Sequence, residues 1–500
     1  MAPSCHLRSR ATSPIPAGGA GIVRGVDDAP ADKSAASWDF AAVRAEFDLP
    51  EGFAQSVLAE AEETATNARE LAGDRDDATD LPFVTIDPPG AKDLDQALLV
   101  ERRPGGGYRV SYAIADLGAF VIPDGAIDND ARRRGQTLYL PDGNIPLHPP
   151  LLSEGAASLL PGETRPAVLW RIDTDSDGQP TSVDVRRALV RSIERFDYEG
   201  VQAALERGTS HPSIEVLADF GRLRRARAVE RGALELQLPE QQITCGARGD
   251  WSLALRLRTE VDAWNAEISL LTGMCAARMM LAAGVGVVRT LPDADSEELR
   301  RLRRSATTLG IEWPAGTSVA ELLAGLDPDR PESLALYTDS TRLLRGAGYT
   351  AFDGGAPEGA THAGIGGPYA HVTAPIRRLV DRFATEVCLA VNSDSPVPEW
   401  TRAALADLPS LMGISDTLAA KVERACLDQV EAWVLAERIG QWFQAVVLRA
   451  DETKAEVLLT DPPVLAKCAG AGMPEGGHVT LKLLDVDVAA RTVSFERVTG

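Results

Sequence analysis

Paired cysteines, excess positive charge and uninterrupted apolar runs are all missing from this chain. Its six cysteines (Cys5, Cys245, Cys275, Cys388, Cys426 and Cys468) are scattered and form no CxxC pair. That excludes a disulfide framework and a zinc site of the usual spacing, and it points to a reducing compartment, the cytoplasm. Lys and Arg number 51 against 73 Asp and Glu, for a net charge of −22. Such a balance excludes a surface coated in nucleic acid, but not a local basic channel beside an acidic site. The most apolar long stretch, 268–288, carries Arg278 in its middle and is broken by small residues and glycines. It reads as a buried helix and turn, not as a membrane span. No apolar h-region of a signal peptide opens the chain. Residues 1–37, rich at first in Ser, Pro, Gly and Ala, are expected to be disordered.

What is present suggests several domains, since 500 residues exceed one simple core. Residues 38–80 show helical spacing broken at Pro50-Glu51-Gly52, which predicts a small helical N-terminal segment and an acidic linker. The chain is then organised around 83–100, FVTIDPPGAKDLDQALLV. Its β-branched opening predicts a strand. Asp87 falls at the end of that strand, Pro88-Pro89-Gly90 turns the chain, and Asp93, Asp95 and Gln96 precede a second apolar strand. Three carboxylates thus share one loop between two strands. An acidic surface turn has the same spacing, but such oxygens are also hard ligands suited to Mg²⁺ or Mn²⁺. The segment 173–184, DTDSDGQPTSVD, copies several ligand positions of a calcium loop. Strand-like flanks instead of helices make it a hairpin turn, with no calcium.

The stretch 83–100 resembles the signature of the RNase II/RNase R (RNB) family of 3′→5′ exoribonucleases, roughly TID followed by DxDD. Asp87, Asp93 and Asp95 fall on three of the four family aspartates, and Gln96 replaces the fourth. Further segments resemble the family as well. YLPDGNIPLHPPLLSEGAASLL brings Tyr139. RGALELQLPE has Leu236 where the family has phenylalanine. The 264–280 run brings Glu267, with Ala266 replacing a carboxylate. GATHAGIGGPYAHVTAPIRRLV brings Arg377 and Arg378, with Ala374 and Leu379 departing from the pattern.

The resemblance implies an α+β fold in which a mixed sheet is surrounded by helices, with an RNB catalytic domain over 81–440. It also implies a small OB/S1-like β-barrel over 441–500, where the sequence shows four strands. The implied activity is hydrolysis of single-stranded RNA from its 3′ end to 5′-nucleoside monophosphates by a metal-activated water. Asp87, Asp93, Asp95 and Gln96 would hold Mg²⁺ or Mn²⁺. Asp95 and Arg377 would be catalytic, Tyr139 would stack on the terminal base, Arg377 and Arg378 would meet phosphates, and Glu267 would touch the ribose. Pro375 is expected to open a helix with both arginines in its first turn. The expected partner is a single-stranded RNA 3′ end, with no membrane, and the chain is expected to be a monomer. The alternative is an RNA-end-binding protein with weak or no nuclease activity, because Gln96 carries no charge.

Overall fold

The computed structural model describes residues 4–6, 38–67, 75–246, 249–469 and 472–498. Its centre is a six-stranded sheet, built on β1 (Phe83–Ile86), β2 (Gln96–Arg102), β3 (Tyr108–Ala115), β4 (Thr164–Thr174) and β5 (Pro180–Phe196), with the short strand Asp76–Asp77 added parallel to β5. Neighbours from β1 to β5 are antiparallel. The last residues of β5 then run parallel to β1, pairing Phe83 with Ser192 and Ile86 with Phe196, so the sheet closes on itself. The β4–β5 hairpin turns within the acidic 173–184 segment. The Asp175 carboxylate accepts the N–H groups of Asp177 and Gln179, and Gly178 supplies a positive φ of 72°. That is the expected hairpin.

Alternation along β3 buries Val110, Tyr112 and Ile114 against Trp170 and Ile172 of β4. Two helices complete this core. Helix α1 (Glu260–Ala283) starts at a capping box between Thr259 and Asp262 and ends at Gly284 in the left-handed conformation. It is long and apolar enough to cross a membrane, but 72% of its most apolar window is buried inside the protein, as expected of a core helix. Helix α2 (Leu379–Asn392) packs beside it. At Gly273 of α1 a Cβ would stand 2.3 Å from the Tyr369 ring and 2.5 Å from the Ala370 carbonyl oxygen. Only glycine lets the 369–370 loop lie this close to the helix.

A long helix, α3 (Leu408–Leu435), leads to the C-terminal barrel. The barrel strands are β6 (Trp442–Ala450), β7 (Lys454–Leu459), β8 (Leu465–Ala469), β9 (His478–Asp487) and β10 (Thr492–Arg497). They follow the order β8-β7-β6-β9-β10, and β8 packs against β10 to close the ring. Strand β8 is additional to the four strands read in the sequence and lies in the Pro- and Gly-rich stretch 461–477. Phe443 and Phe495 meet edge-on in the barrel core, whereas Trp442 is 67% exposed.

The N-terminal segment forms helices Ala41–Glu46 and Gln55–Thr66, and Trp38 stacks on Trp433 of α3 at 5.6 Å. Most of 1–37, expected to be disordered, lies outside the described residues. Ser4–His6 instead adds a strand to the hairpin of Glu240–Cys245 and Trp251–Arg256. The RGALELQLPE segment is irregular, and regular strand pairing begins only at Glu240.

Burial also fixes the charge of three histidines. Desolvation pushes His148 down to about 3, His362 down to about 4 and His371 well below the usual imidazole range. All three are neutral in the fold, and each gains a proton on unfolding below pH 6.5. Each therefore stabilises fully above pH 6.5, and this is lost as the pH falls toward the folded value, by about 1.4 kcal/mol per pH unit. Neither ring nitrogen of His362 has a hydrogen-bond partner, so an apolar ring of similar size forfeits little there. His362→Phe is expected to match the parent in thermal midpoint at pH 8. Its midpoint should fall less than the parent's between pH 6.5 and 4.5, as measured by scanning calorimetry. Parallel midpoint curves for the two proteins would refute the assignment.

Candidate functional site

The strand ends and one distant loop build the site. β1 delivers Asp87, whose N–H is held by the Phe196 carbonyl at the end of β5. The loop into β2 delivers Asp93 and Asp95. The segment 373–377, far along the chain, closes over them: the Ile376 N–H donates to Asp95 Oδ1 at 2.8 Å, and Arg377 Nε faces Asp95 Oδ2 at 3.6 Å. Arg377 is pinned through its backbone, with its carbonyl accepting the Thr137 N–H. Two residues beyond, Tyr139 donates its hydroxyl to Asp93 Oδ2 at 3.1 Å. The two aspartates, the arginine and the tyrosine thus share one enclosed site.

The carboxylates are held at a density of charge that the fold itself does not neutralise. Desolvation pushes Asp87 up to about 7, reinforced by the Asp93 charge and opposed by Arg195 and Arg377. Asp93 is raised by burial against the Tyr139 hydrogen bond and Arg377. Asp95 is raised well above the usual range by burial, with Arg377 as its main counterweight. Asp87 Oδ2 and Arg377 Nη2 are buried and have no hydrogen-bond partner. A cation beside Asp87 and a phosphate oxygen beside Arg377 would satisfy both. Among the described residues no three His, Cys, Asp or Glu side chains stand together as a metal cluster. Mg²⁺ is commonly held by only one or two carboxylates, with water and phosphate oxygens completing its shell. Asp87 and Asp93 fit that requirement.

Three sequence expectations are corrected here. Gln96 is not poised as a metal ligand. Its Nε2 donates to the Thr373 carbonyl at 2.7 Å, and its Oε1 accepts from the Tyr112 hydroxyl and, at 3.5 Å, from the Ser269 hydroxyl. Both ends of the amide are therefore used within the fold. Arg378 is not open to phosphate, because it is buried and forms a two-point pair with Asp381 at 2.8 and 3.0 Å. Glu267 is buried with Arg224 at 3.6 Å, and burial lifts it to about 7. The charges that act on it are Arg224, Arg231, Glu235 and Arg225, none of them from the carboxylate site.

The helix expected to open at Pro375 begins at Leu379, and Arg378 precedes it in an extended conformation (φ −136°, ψ 126°). Arg377 therefore reaches the site from a turn, not from a helix terminus. Sequence reasoning missed Tyr112, Ser269 and Thr373 as partners of Gln96, and Arg195 as a second cation beside Asp87. Tyr112 carried a usable signal, as it sits on the inward face of an alternating strand.

Comparison with known proteins bears on the family and the fold. A model of the RNB domain matches residues 75–390, and a model of the RNase II-type exonuclease C-terminal S1 domain matches 441–498. Ribonuclease R of Escherichia coli (strain K12) is 32% identical over 348 residues, which cover 66% of this chain and 42% of that protein. The chain thus spans less than half the length of this relative. The apo form of Mycoplasma genitalium RNase R superposes with a TM-score of 0.82 at 20% identity, over 91% of this chain and 77% of that one. Yeast Ssd1, a pseudonuclease, superposes with a TM-score of 0.66 at 17% identity, over 84% and 54% of the two chains.

Proposed function

As the chain belongs to the RNB-domain family, we propose that it is a 3′→5′ exoribonuclease that hydrolyses single-stranded RNA to 5′-nucleoside monophosphates. One observation carries this reading: Arg377, with a buried guanidinium nitrogen lacking any partner, faces the same enclosed site as Asp87, Asp93 and Asp95. Asp87 and Asp93 would hold Mg²⁺ or Mn²⁺. When bound, such an ion supplies Lewis-acid polarisation of the phosphoryl oxygens and lowers the pKa of the attacking water.

The chain's own residues do the remaining work. Asp95 sets the Arg377 fork through Oδ2, keeps the 376–377 backbone in place through Oδ1, and orients the attacking water. Arg377 offers a planar fork to the phosphoryl oxygen on which negative charge grows. Tyr139, held by Asp93, lends its ring to the terminal base, and stacking of that kind tolerates any sequence. The alternative expectation, a protein that captures RNA ends and cleaves them slowly or not at all, is an outcome of the same test. RNA labelled at its 5′ end is incubated with Mg²⁺ or Mn²⁺, beside Asp95→Asn. The expected result is progressive shortening to small labelled fragments with the parent protein and little with the variant. Intact RNA under both metals would leave the binding-only reading.

A further inference from the structure

Asp93 sits in a stretch, 91–95, that no strand ladder holds. An aspartate in such a stretch points in a fixed direction only if something else pins its backbone. A cation shared by two carboxylates needs both of them fixed. Arg195 ties the start of the stretch by donating to the Ala91 carbonyl. At its end the Asp95 carbonyl accepts the Ala115 N–H. The ion pair of Lys92 with Glu154, at 3.8 Å and with the lysine 71% exposed, adds little.

Around Asp93 itself the tie comes from one hydroxyl. Ser158 Oγ accepts the Leu94 N–H at 2.9 Å and donates to the Lys92 carbonyl at 2.5 Å. One side chain, 64 residues beyond Leu94 in the chain, thus grips the residues on both sides of Asp93. A third bond, from the Leu159 N–H to the Leu94 carbonyl, lays the two segments side by side. Ser158 is fully buried, and its own position is set. A wide turn ends just before it, closed by the Ala157 N–H on the Leu152 carbonyl five residues back. Such wide turns are uncommon and recur at functional sites. The Ser158 carbonyl in turn accepts the Leu160 N–H and Arg165 Nε. Leu94 and Leu159 are buried in one apolar cluster, so loss of the hydroxyl leaves the Leu94 N–H buried without its acceptor.

We propose that Ser158 is a positioning residue whose hydroxyl clamps the backbone on either side of Asp93 and so fixes that carboxylate for its cation, which rests on the reading of Asp93 as a ligand. Tyr139 holds the far end of the same side chain, so backbone and carboxylate are set from two different elements. The test is Ser158→Ala. Titration calorimetry with Mn²⁺ reads the cation, hydrogen exchange reads the Leu94 amide, and scanning calorimetry reads stability. The expected result is Mn²⁺ bound about 10–100-fold more weakly, with faster exchange at Leu94. Tyr337→Phe is the control, since it removes a buried hydroxyl that donates to the Leu323 carbonyl at 3.0 Å. It should lose stability in the same way and bind Mn²⁺ as the parent does.

Mn²⁺ affinity in Ser158→Ala within about threefold of the parent's would overturn the proposal, being below the loss expected when a ligand's support is removed. An equal loss in Tyr337→Phe would overturn it too, because the effect would then be general loosening. A parent that binds no Mn²⁺, with Leu94 exchange still faster in Ser158→Ala, would refute the cation reading of Asp87 and Asp93 and leave the clamp standing. Ser158→Cys keeps a weak donor and acceptor at the same place, and its Mn²⁺ affinity should fall between those of the parent and Ser158→Ala. That variant carries the test should Ser158→Ala fail to fold, with parent-like affinity again counting against the clamp.

Discussion

Arg377→Ala is expected to lower the rate of mononucleotide release from single-stranded RNA by about 10²–10³-fold, the cost of removing one preorganised donor aimed at developing charge. RNA affinity should change by only a few fold, because the guanidinium is aimed at an oxygen whose charge grows during attack and not at the ground state. The structure prepares this outcome. Nη2 of Arg377 is buried without a partner, and Nε stands 3.6 Å from Asp95, longer than a hydrogen bond. The side chain is therefore held near the site without being saturated. Arg377→Lys keeps the charge and loses the planar fork, and should restore only part of the rate.

The adjacent arginine is the control. Arg378 is saturated by Asp381, whose Oδ1 also accepts the Ala374 N–H at 2.7 Å. Arg378→Ala strands that buried carboxylate and should destabilise the fold by about 3–5 kcal/mol, seen as a lowered thermal midpoint. A single-turnover rate for Arg377→Ala within about fivefold of the parent's would remove this residue from the mechanism.

The contrast between the two arginines shows where the sequence was legible and where it was not. β1 and β2 could be read from Phe83–Ile86 and from the apolar run after Gln96, because local propensity and the Pro-Pro-Gly turn agree there. The three aspartates could be placed on one loop for the same reason. Arg377 could be placed only through family resemblance, since no local pattern joins it to Asp95. The helix start was misjudged because Pro375 resembles a first-turn proline. In the fold, the Arg377 carbonyl is taken by Thr137 and the Leu379 N–H by Gly135. Those tertiary hydrogen bonds hold 375–378 as a turn. Strand β8 was hidden among prolines and glycines, since its pairing with β7 comes from closing the barrel and not from its own propensity.

The role of Gln96 was the least legible, because its partners Tyr112, Ser269 and Thr373 lie on a strand, a helix and a loop that meet only in the folded chain. Its amide ties the first residue of β2 to the carbonyl of Thr373, four residues before Arg377. This makes Gln96 a strap that keeps the arginine segment over the carboxylates. Replacing it with the family's own aspartate is therefore expected to harm the proposed activity. Gln96→Asp removes the donor that Thr373 uses, shortens the reach by one methylene and adds a charge beside three carboxylates whose pKa values burial has already raised. Gln96→Leu removes all three hydrogen bonds with little change in bulk. Both variants should lose about 10²-fold in rate through misplacement of Arg377, and about 1–3 kcal/mol in stability from the unpaired Thr373 carbonyl. The half-saturating Mg²⁺ concentration should be no lower in Gln96→Asp than in the parent, and titration calorimetry with Mn²⁺ should give the same number of bound ions. A rate gain in Gln96→Asp, or a cation bound tenfold more tightly, would mean that position 96 is a weakened ligand after all and that the strap does not govern Arg377.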